Sequence, residues 1–270
     1  MNQKTVFASL AVCGLAAAAS GQIRLSQSTD EFVVVAGVGV ACVSTAAPQT
    51  GADNQFSRSF TLTDFGVSTA FDVNTVEFGI ETLALPTLVE GTITVNLFEV
   101  PAGSPPILGG TLVGSADVVL TDRTEEVVIV DVAGTVSAGA ALMVEINVPS
   151  FQDLVGGALT GDVYFPGGNS FGQSAPSFIG STACGLPDPT DYAAIGFPDT
   201  HLIIVAEGEE GMGGICLPDI DMDGELTIFD FLGFQNLFDA GDLAADFDGD
   251  GVLTIFDFLE FQNLFDAGCP

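Results

Sequence analysis

The stretch DIDMDGELTIFDFLGFQNLFDAGD (219–242) is written again, after Leu243-Ala244-Ala245, as DFDGDGVLTIFDFLEFQNLFDAGC (246–269). The two copies differ at five of their 24 positions. Each opens with Asp at positions 1, 3 and 5, Gly at 6, Thr at 9 and Asp at 12, and then runs on in an apolar segment with no Gly or Pro breaker near its start. Alternate acidic side chains in a short loop all point inward, and the glycine lets the chain turn sharply where a side chain would clash. That spacing belongs to a loop folded around a hard cation.

Calcium takes six to eight oxygen ligands, and the spacing is that of an EF-hand loop. The expected ligands are Asp219, Asp221, Asp223, the Glu225 carbonyl, Thr227 and Asp230 in the first loop, and Asp246, Asp248, Asp250, the Val252 carbonyl, Thr254 and Asp257 in the second. Two Ca²⁺ ions are therefore expected. Both loops end in Asp where Glu is usual, so the closing carboxylate has a shorter arm. No helix-forming segment precedes either loop, which makes each unit a loop with an exiting helix only. At 100° per residue, Phe231, Phe234 and Phe238 fall on one side of the first helix, as Phe258, Phe261 and Phe265 do on the second, and can meet as a small core.

This tandem architecture resembles a dockerin, the calcium-folded module that plugs secreted proteins into cohesin receptors. With Cys216 and Gly268-Cys269 at its borders, it resembles more specifically the GC-type variant. The resemblance covers 215–270. It implies that the partner is a cohesin-like or other surface receptor protein, and it places the partner face on loop positions 10 and 11 and about seven residues later. Helical geometry puts Ile228, Phe229, Leu232, Gln235 and Asn236, and in the second copy Ile255, Phe256, Leu259, Gln262 and Asn263, on the side away from the phenylalanines. Dockerins often carry Ser or Thr where this chain has Ile-Phe.

Working back from the repeats, residues 208–214 (GEEGMGG) have the composition of a flexible linker. Residues 22–207 read as all-β. Short runs alternate Val, Ile, Thr and Phe with polar residues, as in 58–65, 71–80, 91–100, 125–132, 142–148 and 201–207, and Gly, Pro, Ser, Asn and Asp punctuate them. About nine to eleven strands of this kind form a two-sheet sandwich of jelly-roll kind in one domain. The apolar run FVVVAGVGVACV (32–43) does not alternate and is expected as a central strand buried on both faces. The fold class is thus mainly β, with a small α-helical calcium-binding module at the end.

Residues 1–21 carry one Lys, an apolar run from Val6 to Ala19 and then small residues, the pattern of a secretory signal peptide. No later stretch is long and apolar enough to span a membrane. The protein is therefore expected to be secreted or attached to a cell surface. Without the leader, three arginines face 36 carboxylates, a net charge of −33. Such a field repels nucleic acid and anionic membranes and attracts divalent cations. Thirteen of those carboxylates lie in 216–270, which has no Lys or Arg.

Cys13 leaves with the leader, and the even number remaining points to disulfides in an oxidising compartment. Four cysteines allow three connectivities. The pairing that respects the domain boundary is Cys42 with Cys184 and Cys216 with Cys269.

The β domain shows no nucleophile-and-base signature, no GxSxG and no HExxH. Its lone His201 sits in a strand and reads as structural, and the Gly- and Asn-rich run 165–178 reads as a long loop. No catalytic residue is assigned. The reading favours a non-catalytic binding or structural domain, with a polysaccharide as a further candidate partner. The alternative is an extracellular polysaccharide-degrading hydrolase, or an accessory protein of such a complex, because paired carboxylates depend on fold rather than on sequence.

Overall fold

The structure is a computed structural model, and it describes residues 22–106, 109–154, 156–211, 218–221 and 226–267. The described residues of 22–211 form twelve strands: β1 (Ile23–Ser26), β2 (Asn54–Thr61), β3 (Phe71–Ala84), β4 (Gly91–Val100), β5 (Thr111–Leu120), β6 (Arg123–Val136), β7 (Ala141–Val148), β8 (Val163–Asn169), β9 (Phe178–Ser181), β10 (Leu186–Asp191), β11 (His201–Leu202) and β12 (Ile204–Glu210). This is one more than the upper expectation, since the insertion after β7 adds short strands of its own.

The pairings are all antiparallel and nested: β4 with β5, β3 with β6, β2 with β7, and β1 with β12. Folding one long hairpin over on itself gives two sheets, β1-β12-β3-β6 and β2-β7-β4-β5, which is the jelly roll. The insertion widens both sheets. Strands β8 and β11 extend the first beside the far end of β3, and β9 and β10 extend the second beyond β2.

Between the sheets lies one apolar core. Strand β7 contributes Leu142, Val144, Ile146 and Val148 at strict alternation, and β4 contributes Ile93, Val95 and Leu97. In β3 the inward set shifts phase, from Phe71 and Val73 to Val76, Phe78 and Ile80 and then Leu83. Register shifts between Val73 and Thr75 and between Ile80 and Thr82 account for both slips, because a bulge re-aims every side chain after it. Along one flank β5 and β6 approach closely. A Cβ on Gly114 would strike the Ala133 carbonyl, and one on Gly134 would come within 2.9 Å of the Val113 carbonyl, so glycine is needed for the two sheets to close there.

Four expectations change. Residues 32–43 form no strand: Phe32 is 72% exposed, and only Val34 and Cys42 of the run are buried. The chain there is a strap, held by the Val35 amide on the Gly168 carbonyl, the Val38 and Gly39 amides on Glu81 Oε2, and the Cys42 amide on Asn54 Oδ1. The glycines at 37 and 39 let it turn and press against the Pro166 backbone, which an apolar run free of them would not do. Secondly, the stretch 58–65 is split, with β2 ending at Thr61 and a 3-10 turn over Leu62–Phe65. Thirdly, the run 165–178 is not all loop, because Phe165–Asn169 belong to β8. At the other end β12 continues to Glu210, so Gly208, Glu209 and Glu210, expected as linker, are rungs opposite Val73, Asp72 and Phe71.

The disulfide Cys42–Cys184 ties the strap to the insertion, with Cα atoms 6.1 Å apart. Cys216 and Cys269 lie outside the described residues. A second tie is the buried Asp162, which accepts the Thr87 amide at 3.0 Å, the Leu88 amide at 3.2 Å and the Thr87 and Thr160 hydroxyls. Burial alone would raise its pKa, but these donors prevail and hold it below the ordinary range. His201 is structural in its contacts: its Nδ1 accepts the Gly172 amide at 3.0 Å.

The described residues of the C-terminal part include two helices of any length, α2 (Ile228–Ala240) and α3 (Ile255–Ala267), numbered after the single turn α1 (Phe151–Leu154). Among the described residues, the helical segment between α2 and α3 is a 3-10 turn over Leu243–Ala245. Phe234 and Phe261 stack with ring centres 4.4 Å apart, at the centre of a cluster with Ala245 that Phe231, Phe238, Phe247, Phe258 and Phe265 surround. The mainly β sandwich plus small helical module is therefore the fold.

Candidate calcium site

In the second loop, Asp246, Asp248 and Asp250 bring carboxylate oxygens within 4.8 Å of one another. Backbone amides hold them in place. Gly251 donates to Asp246 Oδ2 at 2.8 Å, Asp250 to Asp248 Oδ1 at 3.1 Å, and Val252 to Asp250 Oδ1 at 2.8 Å. The loop turns on Gly249 and Gly251, whose φ angles of 72° and 81° lie in the left-handed region. The other oxygen of Asp246, Oδ1, is buried and has no hydrogen-bond partner.

Asp257, at position 12, is buried on the first turn of α3. It accepts the Thr254 amide at 2.6 Å and the Asp248 amide at 3.3 Å, which ties the start of the loop to its exit helix. Those amides, Thr254 foremost, hold its pKa below the ordinary carboxylate range. Asp248 goes the other way. The Asp250 amide favours its charged form, yet desolvation and the carboxylates of Asp250, Asp257 and Asp246 prevail and raise its pKa. Crowded negative charge, with no Lys or Arg anywhere in 216–270 to relieve it, is the electrostatic signature of this loop.

The first loop repeats the plan where it is described. Asp219, Asp221 and Asp230 gather oxygens within 4.8 Å, while Asp223, Gly224 and Glu225 lie outside the described residues. Asp230 is buried and accepts the Ile220 amide at 2.8 Å, the Asp221 amide at 3.3 Å and the Thr227 amide at 2.8 Å. Burial would raise its pKa, and the amides of Thr227, Asp221 and Ile220 lower it by more. Thr227 Oγ1 in turn accepts the Phe229 amide at 3.1 Å, completing a capping box at the N-terminus of α2. Thr254 does the same for Phe256. The position-9 threonines thus cap helices in this geometry. The Asp at position 12 suits its post because its short arm reaches loop amides and helix start together.

A hard divalent cation fits these residues: the donors are all oxygen, three carboxylates converge, and a buried oxygen of Asp246 is unpartnered. Bound there, the ion would supply neutralising charge. The chain's own part is to hold the carboxylates by backbone amides and to fasten the loop to the helix.

The ten residues expected on the partner face are all exposed. Phe229 and Phe256 are 66% and 63% accessible, and Ile228, Leu232, Ile255 and Leu259 stand beside them, so the same apolar triplet is presented twice. Sequence reasoning did not single out Ile220, whose side chain packs on Gly233, or Phe247, which meets Phe234 and Phe261 edge-on at 5.5 and 5.3 Å. Both occupy loop position 2, and the signal for them was available: position 2 is apolar in both copies while its neighbours are acidic.

No helix among the described residues is long and apolar enough to cross a membrane. Neither the models of known protein families nor the curated proteins compared with it give a match for this chain.

Proposed function

We infer that this is an exported protein whose C-terminal module folds around two calcium ions and docks, dockerin-fashion, onto a surface receptor, carrying the jelly-roll domain as a binding or structural cargo. One observation carries the reading: each carboxylate loop leads directly into a helix that leaves Ile, Phe and Leu in solvent at the same three positions. Apolar side chains exposed singly are ordinary, but a repeated triplet edged by Gln and Asn is the make-up of an interface. The Cys42–Cys184 bridge supports an oxidising, extracellular compartment.

Charge narrows the receptor's chemistry. The module has 13 carboxylates and no cation in its sequence, so a complementary surface is apolar at its centre and rimmed by Lys or Arg. Ile-Phe at positions 10 and 11 calls for a greasier receptor surface than Ser or Thr would. Since the two faces are near copies, either can dock after a half-turn of the module.

The test is attachment of the labelled full chain to the surface of the producing cells in calcium. Phe229→Asp with Phe256→Asp abolishes attachment while calcium binding survives, and either substitution alone is mild. Full attachment by the double variant would refute docking. Lost calcium binding would mean that the patch is core.

A further inference from the structure

Arg58 is the arginine that no carboxylate meets among the described residues. Arg24 is clamped by Glu31, Glu77 and Glu207, and Arg123 lies 3.7 Å from Glu126. Arg58 instead shares the inward side of β2 with Phe56 and Phe60 and is fully buried. Its guanidinium meets only neutral acceptors: Gln173 Oε1 at 2.8 Å, Gln27 Oε1 at 3.3 Å and the Ala175 carbonyl at 3.3 Å. The Nε atom has no partner. Burial pulls its pKa down to about 9, which leaves the group charged at neutral pH. Burying a charge without an opposite charge is costly, and in a chain with 36 carboxylates a counter-ion was within easy evolutionary reach.

Two of the three acceptors, Gln27 and Ala175, also line a cleft of about 310 Å³ whose apolar walls include Pro105 and Phe178. Hydrogen-bond donors gather around it. Gln27 Nε2 gives one hydrogen to the Ser59 carbonyl at 2.7 Å and keeps a second. Thr61 Oγ1 accepts the Gly103 amide at 3.0 Å and keeps its own hydrogen to donate. The charged side chain on the wall is Asp64. Spare donors in front of a buried, uncompensated cation make a site for negative charge, because a charge acting through protein is screened far less than one acting through water.

We propose that this cleft is an anion subsite of the sandwich, seating a carboxylate or sulfate group of a small ligand against Gln27 and Thr61, with Arg58 as the buried counter-charge behind Gln27. Arg58 acts through Gln27 and is a positioning residue. Asp64 opposes the ligand and limits its affinity.

The experiment uses the full chain in excess calcium at constant ionic strength. Glucuronate, inorganic sulfate and, as the neutral control, glucose are titrated while the amide resonances of Gln27, Thr61 and Gly103 are followed. Saturable shifts with glucuronate or sulfate and none with glucose are expected, and the comparison of the two anions tells which group the cleft takes. Asp64→Asn tightens binding several-fold, and Arg58→Gln weakens it by about tenfold or more. Should Arg58→Gln fail to fold, Gln27→Leu replaces it, with the same loss expected. No saturable shift with either anion, an equal response to glucose, or an affinity that Asp64→Asn leaves unchanged or lowers would each overturn the proposal.

Discussion

The sandwich and the module solve the same problem with different materials. The sandwich buries a continuous core drawn from both sheets, with Phe56, Phe60, Phe71 and Phe78 among the side chains shut off from water. Among the module's described residues the buried hydrophobic cluster is Phe234, Ala245 and Phe261, and two carboxylates, Asp230 and Asp257, are buried with them. A domain under about 60 residues shields too little apolar surface to offset chain entropy unaided. The sandwich has apolar burial and a covalent tie to stabilise it, and on the proposed reading the module takes its share from charge neutralisation.

The largest difference should appear on chelation. EDTA should abolish the helical circular dichroism of 228–267 in the full chain while the β signal of 22–211 persists, since structural metal free energy is folding free energy. Helicity that persists unchanged in EDTA would remove the distinction between the two halves. Reduction is the mirror experiment. Opening Cys42–Cys184, which closes 142 residues, is expected to cost the sandwich on the order of 5 kcal/mol on the chain-entropy model. Calorimetry of Cys42→Ser with Cys184→Ser should show the sandwich transition fall while the calcium-dependent one stays.

A sharper version lies within the module. Asp219→Ala and Asp246→Ala should each weaken one calcium site, by comparable amounts in titration calorimetry, because the two loops share their plan. Strongly unequal losses would mean that the copies have diverged in role. Phe234→Ala should cost about 3–5 kcal/mol, enough, with two ions bound on folding, to raise the calcium needed for folding by roughly ten- to seventyfold.

How much of this was legible in the chain depends on whether the signal is local. The gathering of the loop carboxylates was, since spacing within twelve residues is set by the loop itself, and the inward phenylalanines follow from helical period. The nested strand order was legible only as a class, because β1 and β12 meet across the whole domain and nothing short-range marks them. The strap at 32–43 was misread because apolar composition does not tell a central strand from a segment held by Glu81 and Asn54. Arg58 was invisible as a site, since a strand arginine between polar residues reads as exposed until the insertion is seen to cover it.

The smallest expected effects sharpen the comparison inside the sandwich, where two carboxylates are shifted in opposite directions. Asp162 is held below the ordinary range by its donors, so the unfolded chain binds its proton first as pH falls. Its stabilisation is present above the unfolded pKa of about 4 and is lost as pH drops toward the folded value. Asp162→Asn should therefore cost about 1–3 kcal/mol at pH 7 and progressively less in acid, because an amide cannot receive all four donors. Glu145, on the outer side of β7, is pushed up by desolvation, which the Asn96 hydrogen bond at 3.0 Å only partly offsets. Here the native state holds the proton longer, so ionisation weakens the fold as pH rises from the unfolded value of about 4.3 through the folded one. Glu145→Gln keeps an acceptor for Asn96 and removes that charge. It should raise the sandwich transition by about 1–2 °C at pH 7 and leave it unchanged at pH 3.5, against the loss expected for Asp162→Asn at pH 7. A Glu145→Gln variant that is destabilised at pH 7 would show that the carboxylate is held by the fold rather than strained by it.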